Sequence, residues 1–354
     1  MAMIRIDLRS DTKTRPTPGM RQAMAAAEVG DEQADEDPSV NLLCERVAKL
    51  LGKEAALFLP SGTMCNQVAI LVHCRPGDEI IAAEASHIIS SESAGAAALA
   101  GAQIRPLRTT RGIFTAEQLA IAIRSDKRNA PVSRLVHVEQ TVNRGGGAVW
   151  PLETISEVAR VARGAGLSLH MDGARLLNAV AASGTTADQF GAHFDSLWLD
   201  LSKGLGCPVG AVLAGGNDFI AAARRWKFRL GGAMRQAGIL AAAGLYALDH
   251  HAGRLSEDHD NARRLAQRLQ QIEGVKLPYP VETNLVFMDI AETGRSAERL
   301  SKALVKLGIG IGVEDKTRLR AVTHLDVDAQ GIDAAADAIG GWLAHPDEAI
   351  APVP

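Results

Sequence analysis

The chain has 354 residues, 47% of them apolar and 22% charged, and Lys+Arg 38 against Asp+Glu 41 leaves a formal net charge of −3. These values describe an ordinary soluble globular protein and exclude the basic excess that neutralising a run of nucleic-acid phosphates requires. No apolar stretch is long enough to span a bilayer, and Arg5, Asp7 and Arg9 interrupt the start where a signal peptide would be apolar, so membrane spanning and secretion are disfavoured too.

From residue 40 to about 250, helix-period segments alternate with short β-branched or apolar runs, the pattern of βα units on a mostly parallel sheet. Leu42, Leu43, Val47, Leu50 and Leu51 form a helical stripe over Asn41 to Leu51 that Gly52 ends. Ala55 to Leu59 then reads as a strand running into Pro60-Ser61-Gly62, where a second helix begins. Glu79 to Ala83 predicts a strand and Glu92 to Ala100 an alanine-rich helix; Arg134 to Glu139 and Leu167 to Met171 predict strands bracketing a helix over Leu152 to Ala165. Ser196 to Leu201 and Gly210 to Leu213 complete this set of strands.

Gln236 to Gln271 reads as a long helical stretch, broken near Gly253 and stopped by Gly274 and Pro278. Beyond it, Leu285 to Met288, Ile309 to Val313 and Arg318 to Ala321 predict strands, with helices over Ser296 to Leu307 and Asp333 to Leu343, a smaller α+β unit. Gly308-Ile-Gly-Ile-Gly312 lacks the spacing and the following helix of a dinucleotide fingerprint and is read as strand. The tail Pro346 to Pro354 is expected to be loose. Cys44, Cys65, Cys74 and Cys207 form no C-x-x-C pair and lie in or beside apolar runs, as reduced, buried thiols of a cytoplasmic protein would.

Three strand ends carry candidate chemistry. Asp195 to Gly206 is an apolar strand that delivers Ser202 and Lys203 to a glycine-rich turn. A solvated lysine is the ordinary reading, but one at a strand end beside glycines is a candidate for a Schiff base. Leu167 to Arg175 is a second strand ending in a carboxylate, Asp172, followed by Gly173 and then Arg175. Taken alone, Asp172 could equally cap a helix. Together, Lys203 and Asp172 match what pyridoxal phosphate needs, an amine for its aldehyde and a carboxylate for its pyridine nitrogen. Pro60 to Gln67 is a strand-to-helix junction in which Ser61, Gly62, Thr63 and the free helix amides suit a phosphate. His87 follows the strand Glu79 to Ala83, and strand C-termini converge on one crevice in a doubly wound sheet.

These motifs, with Asp7-Leu-Arg-Ser-Asp-Thr12, Glu36-Asp-Pro-Ser-Val40, Val138-Glu139, Asn143-Arg144 and Gly231-Gly-Ala-Met-Arg-Gln-Ala-Gly238, resemble the threonine aldolases, the low-specificity or β-eliminating lyase family of fold-type I pyridoxal-phosphate enzymes. The resemblance spans most of the chain. It implies an α/β fold, with an N-terminal segment over 1–30 that contributes to the active site, a large cofactor-binding domain over 31–250 and a small C-terminal α+β domain with its linking helix over 251–354. It implies that Lys203 carries the cofactor, Asp172 faces the ring nitrogen, His87 stacks on the ring, Ser61, Gly62 and Thr63 hold the phosphate, and Ser202 lies beside the cofactor. Ser10, Arg175 and Arg320 match positions that clamp a substrate α-carboxylate, with Arg175 also near the ring hydroxyl, a task suited to a planar guanidinium fork. Arg235 matches a position reaching the phosphate of a neighbouring subunit, which implies a homotetramer, a dimer of dimers with active sites at subunit interfaces. No metal-ligand spacing is present.

The implied reaction is retro-aldol cleavage of a β-hydroxy-α-amino acid to glycine and an aldehyde, with His87 the best side-chain candidate for proton transfer. Three positions depart from the family pattern. Asn129 stands where relatives often have a second histidine, Val142 replaces the histidine of E-N-T-H-N-R, and Ala34-Asp35 replaces a tyrosine-glycine pair. Loss of a polar wall would accommodate a bulkier, more apolar aldehyde, as in phenylserine-type aldolases. A β-eliminating lyase or an aminotransferase on the same scaffold is the alternative, and a non-catalytic protein that retains the fold the more distant one.

Overall fold

The computed structural model describes residues 3–345. Contacts divide the chain into two units: Pro16–Gly253, and the chain up to Arg15 together with that from Arg254 onward. Among the described residues eleven strands form two sheets: β1 Ile6–Leu8, β2 Ala55–Leu59, β3 Asp78–Ala83, β4 Gln103–Leu107, β5 Val132–Glu139, β6 Ser168–Asp172, β7 Ser196–Asp200, β8 Ala211–Gly215, β9 Leu285–Asp289, β10 Ile309–Val313 and β11 Arg318–Val322.

The large unit holds a seven-stranded sheet in the order β2-β8-β7-β6-β5-β3-β4. Every neighbouring pair from β7 to β4 is parallel, and β8 alone runs against its neighbours β7 and β2. The reversal has a local cause. The turn from β7 to β8 is short and closes with the Leu201 amide donating to the Gly210 carbonyl at 3.1 Å, too little chain for the crossover a parallel partner needs. β3 and β7 are buried along their whole length, as expected of strands covered on both faces. The helix Leu152–Gly164 turns Ile155, Val158, Ala159 and Ala162 inward at helical spacing. The helix Gly62–His73 packs Cys65, Val68 and Ala69 on Trp198 and Leu213 of the sheet.

The small unit has the sheet β1-β10-β11-β9. β1 pairs in parallel with β10, Ile6 opposite Ile309, and the other pairs are antiparallel. Helices Leu255–Leu269, Ala297–Lys306 and Ala329–Ala344 supply Leu265, Leu300 and Ile339 to its core against Val286 and Ile311.

The strands fall where alternation places them, with small differences that have local reasons. The helix expected from Glu92 begins at Gly95, because Ser93 and Ala94 take φ of 51° and 56° and leave Glu92 in the preceding turn. The last helix begins at Ala329, capped by Asp328, whose carboxylate accepts the Gly331 amide at 2.8 Å. β1 and β4 lie outside the expected set; β4 is a half-exposed edge strand containing Pro106, with little apolar patterning to read. All four cysteines are free, but Cys44 is only half-buried, in contrast to the expectation for all four. The tail Pro346 to Pro354 lies outside the described residues.

Candidate active site

Side chains two apart on a strand share a face, and register carries that face across a sheet. His137 pairs with His170, Glu139 with Asp172, and His170 with Ser196, so β5, β6 and β7 present one polar row toward the same side, continued on β7 by Trp198 and Asp200. The helix Gly62–His73 brings Asn66 to this row. Asn66 Nδ2 donates to Asp172 Oδ2 at 2.8 Å and to Glu92 Oε1 at 2.7 Å, while Trp198 Nε1 donates to Asn66 Oδ1 at 2.8 Å. All four of these groups are buried.

Lys203 stands in the turn after β7. Its Nζ donates to Asp200 Oδ2 at 2.5 Å and lies 5.6 Å from the centroid of the Trp198 ring. Asp200 also organises the turn, since Oδ1 accepts the Ser202 amide at 2.7 Å and its hydroxyl at 2.9 Å. Asp172 Oδ1 accepts the Ala174 amide at 3.0 Å, which aims the carboxylate out from the end of β6.

His87 opens a one-turn helix after β3. Its Nδ1 lies 2.8 Å from Glu92 Oε1, and its backbone amide donates to Glu139 Oε2 at 2.7 Å. The hydrogen bond to Glu92 pushes the His87 imidazole above its ordinary range. Glu92 Oε2 accepts Gln67 Nε2 at 2.6 Å, and Glu139 Oε1 accepts the Asn143 amide at 2.8 Å. Burial, with the Asp172 charge beside it, raises the Glu139 carboxyl to about 7.

The helix Gly62–His73 begins at Ser61, whose hydroxyl accepts the Met64 amide at 3.2 Å. The amides of Gly62 and Thr63 belong to the first turn, which has no intrahelical acceptors and suits an anion. Gly62 has no room for a side chain, because a Cβ there would sit 2.1 Å from the Trp198 indole.

Trp198 therefore links three parts of the arrangement: its ring lies under Lys203, its edge fills the space beside Gly62, and its N–H reaches Asp172 through Asn66. An amine, a buried carboxylate, an imidazole and an anion-binding helix start gathered on one frame are the donor set that pyridoxal phosphate requires. Residues 7–293 match the family described as beta-eliminating lyase. The chain belongs to the beta-eliminating lyase family. The low specificity L-threonine aldolase of Escherichia coli strain K12 is 41% identical over 340 residues, covering 96% of this chain and 98% of that one. Low-specificity L-threonine aldolase 1 of Arabidopsis thaliana is 40% identical over 338 residues, covering 94% of each. The crystal structure of a putative L-allo-threonine aldolase from Listeria monocytogenes EGD-E shares the fold, with a TM-score of 0.79, 23% identity and 96% of both chains covered.

Within this beta-eliminating lyase family member, Lys203, Ser202, Asp172, His87, Ser61, Gly62 and Thr63 all lie in the large unit, with Arg175 and Arg235. Arg175 is buried at the start of the helix Leu176–Ser183, its amide donating to the Gln140 carbonyl at 3.0 Å. Arg235 is 64% exposed and pairs with Asp31 at 2.7 Å. Ser10 and Arg320 belong to the small unit. Ser10 Oγ accepts the Thr12 amide at 3.2 Å, and Arg320 lies 3.4 Å from Glu314 Oε1 and donates to the Arg9 carbonyl at 3.4 Å.

His87, Glu92 and Asp172 bring three possible metal-ligand atoms within 4.8 Å of one another. Their carboxylate oxygens already accept from Asn66, Gln67, His87 and Ala174, so the cluster is organised around an imidazole and N–H donors. The positions that depart from the family pattern are also placed. Asp35 adopts φ 60°, a conformation that suits the glycine it replaces and that aspartate tolerates. Val142 is buried, its Cγ1 2.3 Å from where a Cβ on Gly112 would lie, and Asn129 is exposed.

Asn66, Glu92, Glu139, Trp198 and Asp200 had no assigned role from the sequence. The sequence offers only placement: Glu139, Trp198 and Asp200 alternate into apolar strands and Asn66 lies one helical turn beyond Gly62, which does not say what they bond, and Glu92 carries no such signal.

Proposed function

We propose that the chain is a pyridoxal-phosphate-dependent carbon–carbon lyase that cleaves β-hydroxy-α-amino acids between Cα and Cβ to glycine and an aldehyde. The observation that carries this reading is the Trp198–Asn66 frame, which holds Lys203, Asp172 and the phosphate-binding helix start in one place. The relatives named low-specificity L-threonine aldolase, similar over nearly their whole length, support the substrate class. When bound, the cofactor supplies an electron sink for the pair released at Cα.

The chain's own residues do the rest. Lys203 supplies the amine that carries the cofactor, and Ser61, Gly62 and Thr63 bind its phosphate. Asp172 holds a proton at the ring nitrogen. His87 would lie against the cofactor, and with Nδ1 engaged by Glu92 only Nε2 is left to take a proton from the substrate hydroxyl. Arg175, buried in the large unit, is assigned to the substrate α-carboxylate, which a planar guanidinium can bind with two parallel hydrogen bonds. Arg235, exposed on the large unit, is assigned to the phosphate of a neighbouring subunit in a homotetramer with interfacial active sites. Asn129 and Val142 in place of histidines favour larger, phenylserine-type substrates, and the four free cysteines favour a reducing, cytoplasmic setting.

A substrate panel of threonine, allo-threonine and phenylserine tests the reading by product analysis. Glycine plus the matching aldehyde, lost in Lys203→Ala, is expected. Ammonia plus a keto acid would replace the aldolase with a β-eliminating or transaminating enzyme.

A further inference from the structure

Asn66 has an orientation that its neighbours decide. Asp172 and Glu92 are carboxylates that accept, whereas the Trp198 indole only donates. The amide nitrogen of Asn66 therefore faces the two carboxylates, at 2.8 and 2.7 Å, and its oxygen faces Trp198. His170 Nε2 lies 3.2 Å from that same oxygen and must carry a proton there. Burial keeps this imidazole neutral, so its Nδ1 accepts from the Ser196 hydroxyl at 2.8 Å, and Ser196 accepts in turn from His73 Nε2 at 2.8 Å. Every donor from His73 to Asp172 is thus assigned, and the chain of bonds runs one way toward Asp172.

The same amide joins two functions. Asp172 is the carboxylate for the ring nitrogen, and Glu92 is the carboxylate that holds the His87 imidazole. We propose that Asn66 is a positioning residue for the reaction above: by donating one proton to Asp172 and the other to Glu92, it fixes the carboxylate at the cofactor's ring nitrogen and the imidazole on its face relative to each other. This rests on the proposed pyridoxal-phosphate chemistry. His170 and Ser196 are the supports that keep the amide from turning over.

Two variants of the holoenzyme separate positioning from packing. Asn66→Asp keeps the size of the side chain and its acceptor for Trp198 and His170, but turns a third carboxylate on Asp172 and Glu92. Asn66→Ala deletes the donors to both carboxylates together with the acceptor for Trp198 and His170. Cofactor affinity is expected to fall on the order of tenfold in Asn66→Ala and further in Asn66→Asp, since hydrogen bonds to charged groups are the stronger ones. The pH at which the visible absorption of the bound cofactor changes is expected to move in both, with kcat falling more than KM. If Asn66 merely fills space, the nearly isosteric Asp variant outperforms Ala, and that order overturns the proposal. Should neither variant fold, nitrogen NMR of the histidine-labelled wild-type protein decides. His170 neutral with its proton on Nε2 is expected, and a proton on Nδ1, or a charged ring, means that the amide is reversed and the proposal fails. A wild-type protein that binds the cofactor yet releases no aldehyde defeats the aldolase reading alone, because the affinity order and the His170 tautomer still test Asn66.

Discussion

Glu139 and Asp172 stand opposite each other in register at the C-terminal ends of β5 and β6, two buried carboxyls on one face of a parallel pair. Like charges this close cannot both be accommodated cheaply in a poorly solvated site. The neighbours divide the roles: Asp172 receives side-chain and backbone donors, whereas Glu139 holds its own proton up to about 7 and ties down the backbone amides of His87 and Asn143. The two carboxyls thereby take different roles on one face of the sheet.

A pH dependence follows for stability. Folded Glu139 keeps its proton to about 7, while the unfolded carboxyl loses it near the ordinary value of 4.5. Between these limits the folded chain binds more protons, so the Glu139 contribution to stability is full at low pH and is lost as pH rises, by up to about 1.4 kcal/mol per pH unit. Glu139→Gln lacks this dependence. Urea unfolding from pH 5 to pH 8 is expected to show wild type losing ground to the variant as pH rises, and parallel curves would mean that Glu139 is ionised throughout.

Gly62 is the point where the start of the helix Gly62–His73 meets Trp198, beside the proposed phosphate site. A methyl group there collides with a buried, hydrogen-bonded indole at 2.1 Å, and overpacking of this kind costs about 1–3 kcal/mol. Gly62→Ala is expected to lower Tm and to weaken cofactor binding more than Thr63→Ala does, measured by thermal unfolding and by titration of the cofactor-free protein. Wild-type cofactor affinity in Gly62→Ala would show that Trp198 does not brace the phosphate site.

His137 is fully buried in the same polar row, 5.7 Å from the His170 ring, and neither of its ring nitrogens has a hydrogen-bond partner among the described residues. Burial pushes it below its ordinary range, so it is neutral at physiological pH. An unpaired buried polar group costs about 1–3 kcal/mol, which an apolar residue of similar size does not incur. His137→Leu is therefore expected to unfold at the same or a higher Tm than wild type. A clear loss of stability would reveal a partner for the imidazole.

Lys203 and Asp172 were legible because βα alternation marks strand ends, and strand ends converge on one crevice in this fold. Asn66 and Trp198 were not, because their roles come from hydrogen bonds across 106 and 132 residues of sequence. Local patterning places Glu92 in an alanine-rich helix, and only the turn at Ser93 and Ala94 brings it to His87. β4 is the opposite case: as an edge strand it needs no apolar pattern and carries none.

Lys227 and Glu32 form an ion pair buried on both sides, 2% and 7% exposed, that ties the helix Asn217–Arg229 to the segment before Arg235. Glu32 also accepts the Met234 amide at 2.9 Å and donates its own amide to the Arg235 carbonyl at 3.0 Å, so it sets the backbone from which Arg235 extends. Removing one partner leaves the other charge buried and uncompensated, which costs about 3–5 kcal/mol. Lys227→Met is expected to lose stability on that scale in urea unfolding. The double variant Lys227→Met with Glu32→Gln is expected to recover much of it, since no stranded charge remains and the amide oxygen still accepts from Met234. If the double variant is as unstable as the single one, the pair acts through packing of the lysine stem, and the charge of Glu32 has no part in holding the Arg235 segment.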